Sequence, residues 1–218
     1  MTDHLNTIRD AVIGGKHAEI RGIVQQALDS GLDPSTIIND ALIAAMDVVG
    51  KDFGSGKIFV PEMLVAAMTM KAGLEVVKPR LAGGESRSRG TVIMATVKGD
   101  LHDIGKNLVS MMLEGAGFQV IDLGVDLSAD KLVDQVKALQ PDILGLSALL
   151  TTTMPEMQKV IGELRAQGLR DRIKVLVGGA PVDQAFADKI GADGYGANAA
   201  EAVELARRFA GANVSKES

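Results

Sequence analysis

The 218-residue sequence has no cysteine and no tryptophan, and only three histidines: His4, His17 and His102. Without cysteine there are no disulfides, thiolate zinc sites, iron–sulfur ligands or cysteine nucleophile. Three scattered histidines leave no cluster from which the protein alone could build a histidine-rich metal centre. Aromatic residues make up 3%, five Phe and one Tyr, too few for a surface that stacks bases. Positive charge is also short. A net charge of −5 at pH 7 argues against nucleic acid or an anionic membrane as partner. Met1-Thr2-Asp3-His4 lacks the basic-then-apolar start of a signal peptide, and no apolar run approaches a membrane span. The expected protein is soluble and cytoplasmic. What is present is ordinary for a globular chain: 46% hydrophobic and 23% charged residues, enough for a core in each of one or two domains.

The chain changes character near residue 80. Before it, apolar residues recur at three- and four-residue spacing, which predicts helices over 3–14 and 16–30, separated at Gly14-Gly15 and stopped at Gly31. Asp33-Pro34 predicts a cap and first turn for a third helix, broken at Gly54-Ser55-Gly56. A fourth is expected from Pro61 to Pro79. Together they suggest a four-helix bundle over 1–80. Residues 81–90 are small, polar and charged, and read as a linker or hinge. Over 91–218, short apolar runs alternate with helical segments: strands at 91–97, 119–123, 142–147, 173–177 and 192–195. That alternation predicts an α/β domain with a doubly wound, five-stranded parallel sheet, flavodoxin-like in the expected order 2-1-3-4-5.

Ligands of such sheets bind beyond the carboxyl ends of the strands, where the strand order reverses. The loops after strands 1, 3 and 4 should therefore carry the chemistry. They are the least ordinary segments of the domain: Lys98 to Lys106, with Gly99, Asp100, His102 and Asp103; Ser147 to Thr153; and Gly178-Gly179-Ala180. Singly, each has a plain explanation: a helix cap, a self-capping turn, a tight glycine turn. Together they describe an imidazole beside a carboxylate, a row of small hydroxyls and a strip of bare backbone.

Asp100-x-His102-x-x-Gly105, then Ser147-x-Leu149, then Gly178-Gly179 resemble the three-part signature of cobalamin (B12)-binding domains, Rossmann-like domains of the type found in cobalamin-dependent methionine synthase and in the corrinoid proteins of anaerobic methyl transfer. Asp52-Phe53-Gly54-x-Gly56-Lys57-x-Phe59-x-Pro61-Glu62 resembles the helical cap of the methyltransferase branch. The resemblance implies a corrinoid methyl carrier for a demethylase system, not an enzyme alone. It implies that His102 is the lower ligand to cobalt, with Asp100 and Thr153 completing a relay. Methionine synthase-type sequences have serine at the Thr153 position. It makes Gly99, Leu101, Asp103, Ile104, Gly105 and Leu149 cofactor-binding, and lines the slot for the cofactor's nucleotide tail with Ser147, Thr151, Gly178 and Gly179. Phe59, Met63 and Met70 would shield the reactive face. A methyl group would move onto cob(I)alamin from one methyltransferase, served by methylamine, methanol, betaine or an O-methyl aromatic. From methylcobalamin it would pass through a second methyltransferase to tetrahydrofolate or coenzyme M. A reductive activator of the corrinoid would be a third partner. The residues suit the chemistry: a neutral imidazole is a good ligand for a first-row transition metal, and its second nitrogen needs a fixed acceptor.

Three other classes fit the sequence less well. A cobalamin-dependent sensor or regulator normally adds a DNA-binding segment, which the acidic charge disfavours. An adenosylcobalamin mutase subunit shares the histidine motif but needs no methyl-shielding cap. A receiver-like signalling module needs a phosphoacceptor Asp after strand 3, and 147–153 contains none.

Overall fold

A computed structural model describes residues 2–80 and 88–214 of the chain. Most of the expected linker, 81–87, lies outside them. The chain divides into two compact units: one extends to Ser88, the other runs from Arg89 onward apart from Gly115–Gly117. Among the described residues no helix is long and apolar enough to cross a membrane.

The first unit is helical: α1 (Thr2–Ile13), α2 (Ile20–Asp29), α3 (Pro34–Thr36), a π-helical stretch Ile37–Ile43, α4 (Ala44–Gly54) and α5 (Val60–Val77). The segment from Pro34 to Gly54 was expected as one plain helix, and its middle has the wider π geometry. Ile37, Ile38, Ala41, Leu42 and Ile43 are all buried, a broader apolar face than a 3.6-residue turn presents. Asp33 begins this run with its carboxylate accepting the Thr36 amide at 2.9 Å. Glu62 reaches back to the Phe59 amide at 2.8 Å and starts α5, where Pro61 occupies a position with no intrahelical amide bond to lose. Ile8, Val12, Ile20, Val24, Met63 and Met70 are among its buried residues.

The second unit is a parallel sheet of β1 (Thr91–Thr96), β2 (Gln119–Asp122), β3 (Ile143–Ser147), β4 (Lys174–Gly178) and β5 (Gly194–Gly196) in the order β2-β1-β3-β4-β5. Between and after the strands run α6 (Ile104–Gly115), α7 (Ala129–Leu139), α8 (Met154–Ala166), α9 (Gln184–Ile190) and α10 (Ala199–Val214). On one face Ile93, Ala95, Leu144, Leu146, Val175 and Val177 pack with Leu132, Val133 and Val136 of α7 and Met157, Val160 and Leu164 of α8. Alternate residues Val92, Met94, Ile143 and Leu176 are buried on the other face. Strands buried on both sides need apolar residues at successive positions, as in Val92–Ala95 and Val175–Val177. Ser128 stands at the N-cap of α7 and makes no side-chain cap bond. Asp183 does cap α9, accepting the Phe186 amide at 2.7 Å. The register places Thr96, Ser147 and Gly178 side by side across three strands. The loops that follow them therefore leave the sheet as neighbours.

Candidate functional site

Thr96 ends β1, and its buried hydroxyl donates to the His102 carbonyl at 3.0 Å, which closes the loop 97–102 back on the strand. Inside that loop Asp100 has no solvent exposure. A buried carboxylate must be satisfied on both oxygens, and this one is. Oδ1 accepts the His102 amide at 3.1 Å and lies 2.7 Å from the ring Nδ1. Oδ2 accepts the Leu149 amide at 2.7 Å, the Leu150 amide at 3.3 Å and the Thr153 hydroxyl at 2.8 Å. The strands β1 and β3 are thus tied together beyond their ends through one side chain. Burial pushes the Asp100 carboxyl up. The Leu149 amide outweighs it together with the His102 ring and amide and the Thr153 hydroxyl, and these hold the group well below the usual carboxylate range.

An ionised Asp100 can only accept. Nδ1 of His102 therefore carries the proton of that bond, and in the neutral ring Nε2 keeps its lone pair. The imidazole side chain is 52% exposed while its carboxylate is fully covered. The arrangement is an outward-facing nitrogen donor whose tautomer and orientation are set from below.

The neighbours of that donor are apolar and bare. Leu101 is 71% exposed and Ile104, the first residue of α6, 86%. Leu149 and Leu150 are each 42% exposed. A Cβ added at Gly105 would meet nothing within 4 Å. Gly179, after β4, has a φ of +128°, and a Cβ there would stand 1.8 Å from the Ala148 carbonyl oxygen. Only glycine lets these two strand ends approach so closely. Ser147 ends β3 half-buried, Thr151 is exposed, and Gly178 pairs with Ser147. Among the described residues no three His, Asp or Glu side chains are grouped to hold a metal. One imidazole nitrogen on an apolar surface suits a metal that brings its other donors in a macrocycle, and the residues fit a corrin-borne cobalt.

Asp100, His102, Leu149 and Thr153 are brought together by direct hydrogen bonds. The three side chains expected over the reactive face are not alike: Phe59 is 68% exposed in the turn before α5, whereas Met63 and Met70 are buried. Two charged groups escaped the sequence reading. Lys106 on α6 is buried, with its ammonium on Asp122 at the end of β2 and on Asn107 at 2.8 Å. Asp126, in the turn after β2, accepts the Gly99 amide at 2.7 Å. The adjacency of β2 and β1 in the expected strand order was the available signal for both.

A family model described as a B12 binding domain matches residues 90–204, and a second model of that description matches residues 4–78. The dimethylamine corrinoid protein 2 of Methanosarcina acetivorans is 44% identical over 206 residues, 94% of this chain and 95% of that protein. The trimethylamine corrinoid protein 2 of Methanosarcina mazei is 46% identical over 183 residues, 83% of this chain and 84% of that protein. In the solved methanol:cobalamin methyltransferase complex MtaBC of Methanosarcina barkeri, one chain superposes with a TM-score of 0.87 at 33% identity, over 96% of this chain and 80% of that chain.

Proposed function

The chain belongs to the family of B12-binding corrinoid proteins, and from that premise we propose that His102 is the single side chain it supplies to the cobalt of a bound cobalamin. The protein is a corrinoid methyl carrier that works with methyltransferases. When bound, the cobalt centre supplies a site that takes a methyl group from one partner and yields it to another. The chain's own residues bind and orient. His102 offers Nε2. Asp100 holds the proton on Nδ1 and, through it, the plane of the ring. Thr153 and the Leu149 amide keep Asp100 ionised without exposing it to water. Gly99, Leu101, Asp103, Ile104 and Gly105 form the proposed rim around the macrocycle. Ser147, Leu149, Thr151, Gly178 and Gly179 form the proposed lining for the nucleotide tail.

The proposed donor is a methylated amine, supported by 44% and 46% identity to a dimethylamine and a trimethylamine corrinoid protein. A second methyltransferase as acceptor and a reductive activator complete the proposed partners. The observation that carries the reading is the buried, ionised Asp100 aiming an exposed imidazole outward. Its test is reconstitution with hydroxocobalamin. The wild type is expected to take up the corrinoid and show axial nitrogen splitting in the cobalt(II) EPR spectrum. His102→Ala is expected to lose the splitting and to cost about 1–3 kcal/mol, since the buried Asp100 carboxylate loses the ring and keeps only the amide of residue 102 on Oδ1. A wild-type protein that takes up no corrinoid would overturn the reading. Methyl transfer from dimethylamine and trimethylamine, against methanol, with the cognate methyltransferase tests the donor.

A further inference from the structure

Asp126 sits in the turn between β2 and α7 with a φ of +56°. Gln140, the residue that ends α7, is the one other described non-glycine residue with a positive φ. A side chain at such a position carries strain that glycine would avoid. Here the side chain is engaged. Its Oδ1 accepts the Gly99 amide at 2.7 Å, and the Asp126 amide donates to the Asp100 carbonyl at 3.1 Å. The two bonds bracket the Gly99–Asp100 peptide from both sides. On either side of Asp126 the turn is docked on β1, by the Thr96 amide to the Gly124 carbonyl at 3.0 Å and the Leu127 amide to the Thr96 carbonyl at 3.2 Å. Gly99 itself has a φ of +80° and no side chain to hold it. It is the residue of the loop with the most conformational freedom, inside a turn closed by the Asp100 amide on the Val97 carbonyl at 3.2 Å.

We propose that Asp126 is a positioning residue for the Asp100–His102 pair. By fixing the Gly99–Asp100 peptide from the β2 side, it sets how much of the protein holds Nδ1 on Asp100 and Nε2 outward. The loop, which the Thr96 hydroxyl closes on β1, is thus also held from the strands on either side. Asp126 holds its backbone, and the Leu149 amide and Thr153 hydroxyl hold the Asp100 carboxylate from the β3 side. The consequence at cobalt rests on the corrinoid reading above; the grip on the histidine does not.

Three substitutions separate the bond from the strain. Asp126→Asn keeps an acceptor oxygen and tolerates a positive φ. Asp126→Gly removes the bond and relieves the strain. Asp126→Ala removes the bond and keeps the strain. The first readout is the pair of ring nitrogen shifts of His102 in the corrinoid-free protein at one fixed pH. The Nδ1–H form is expected to fall relative to its alternatives by about threefold to tenfold in the Gly and Ala variants, the range that loss of one net hydrogen bond gives. It is expected to stay at the wild-type level in the Asn variant. The second readout is the share of cobalt(II) with axial nitrogen splitting after loading, which should fall in the same order. Wild-type ring shifts in Asp126→Gly, with or without a lowered melting temperature, would overturn the proposal. If the ring shifts respond and no variant or wild type takes up corrinoid, the cofactor reading fails and the positioning role stands.

Discussion

The two ends of the parallel sheet use the same device for opposite purposes. At the amino end, Asp142 accepts the Thr91 amide of the neighbouring strand at 2.8 Å, and Asp193 accepts the Val175 amide at 2.8 Å. At the carboxyl end Asp100 accepts the Leu149 amide beyond β3 at 2.7 Å. Each is an aspartate that joins two segments by capping a free backbone donor. The amino end is closed on itself. Asp193 is answered by Arg170 at 2.7 Å and Lys174 at 3.0 Å, and Arg170 spends another donor on the Gly191 carbonyl at 2.7 Å. At the carboxyl end the basic partner is a half-exposed histidine whose far nitrogen points out of the network. An interior aspartate answered by fixed cations makes a joint. The same residue answered by a histidine with a free nitrogen makes a binding group.

The comparison breaks most severely at the carboxyl end. Gly179→Ala puts a Cβ against the Ala148 carbonyl at a φ that L residues avoid. It is expected to cost about 4 kcal/mol or prevent folding, measured by urea unfolding or by yield of soluble protein. The next effect sharpens the contrast. Asp100→Ala and Asp193→Ala each strand backbone donors, and both are expected to cost about 2–3 kcal/mol. Only Asp100→Ala should also change the His102 ring shifts and the cobalt(II) spectrum. Equal spectral effects from the two would erase the distinction between joint and binding group. The smallest effect is one of slope. The Asp100 carboxyl is held below its ordinary value when folded, so the unfolded chain binds the extra proton as the pH drops through about 4. Its contribution is present above that pH and lost below it. Asp100→Asn should therefore flatten the acid limb of the stability curve relative to wild type, measured by denaturant midpoints from pH 6 down to pH 3.

Much of this was legible in the sequence because it follows from local pattern. Continuous apolar runs such as Val92 to Ala95 and Ile143 to Leu146 are read as parallel strands without any partner in view, and the strand order fixes which loops meet. Asp100 and His102, two residues apart, form their bond within one loop. What escaped depends on pairing across the chain. Lys106 reads as an ordinary first-turn lysine until β2 brings Asp122 to it. Asp126 reads as a loop acid until its turn is laid along Gly99. The π turn of Ile37–Ile43 is set by what its wide face buries, and the helical spacing of its apolar residues hides it. Phe59, Met63 and Met70 look equivalent as large apolar residues at the start of a helix, yet their exposures divide them.

Leu101, Ile104, Leu149 and Leu150 stand uncovered around His102, and that has a colloidal consequence. A bare apolar rim on an otherwise charged surface is adhesive. Left open to water, such a rim lowers colloidal stability. A flat, amide-fringed cargo seated there would hide it and leave a wettable outline. A ligand that covered those four side chains would thus add to solubility as well as bring its own chemistry.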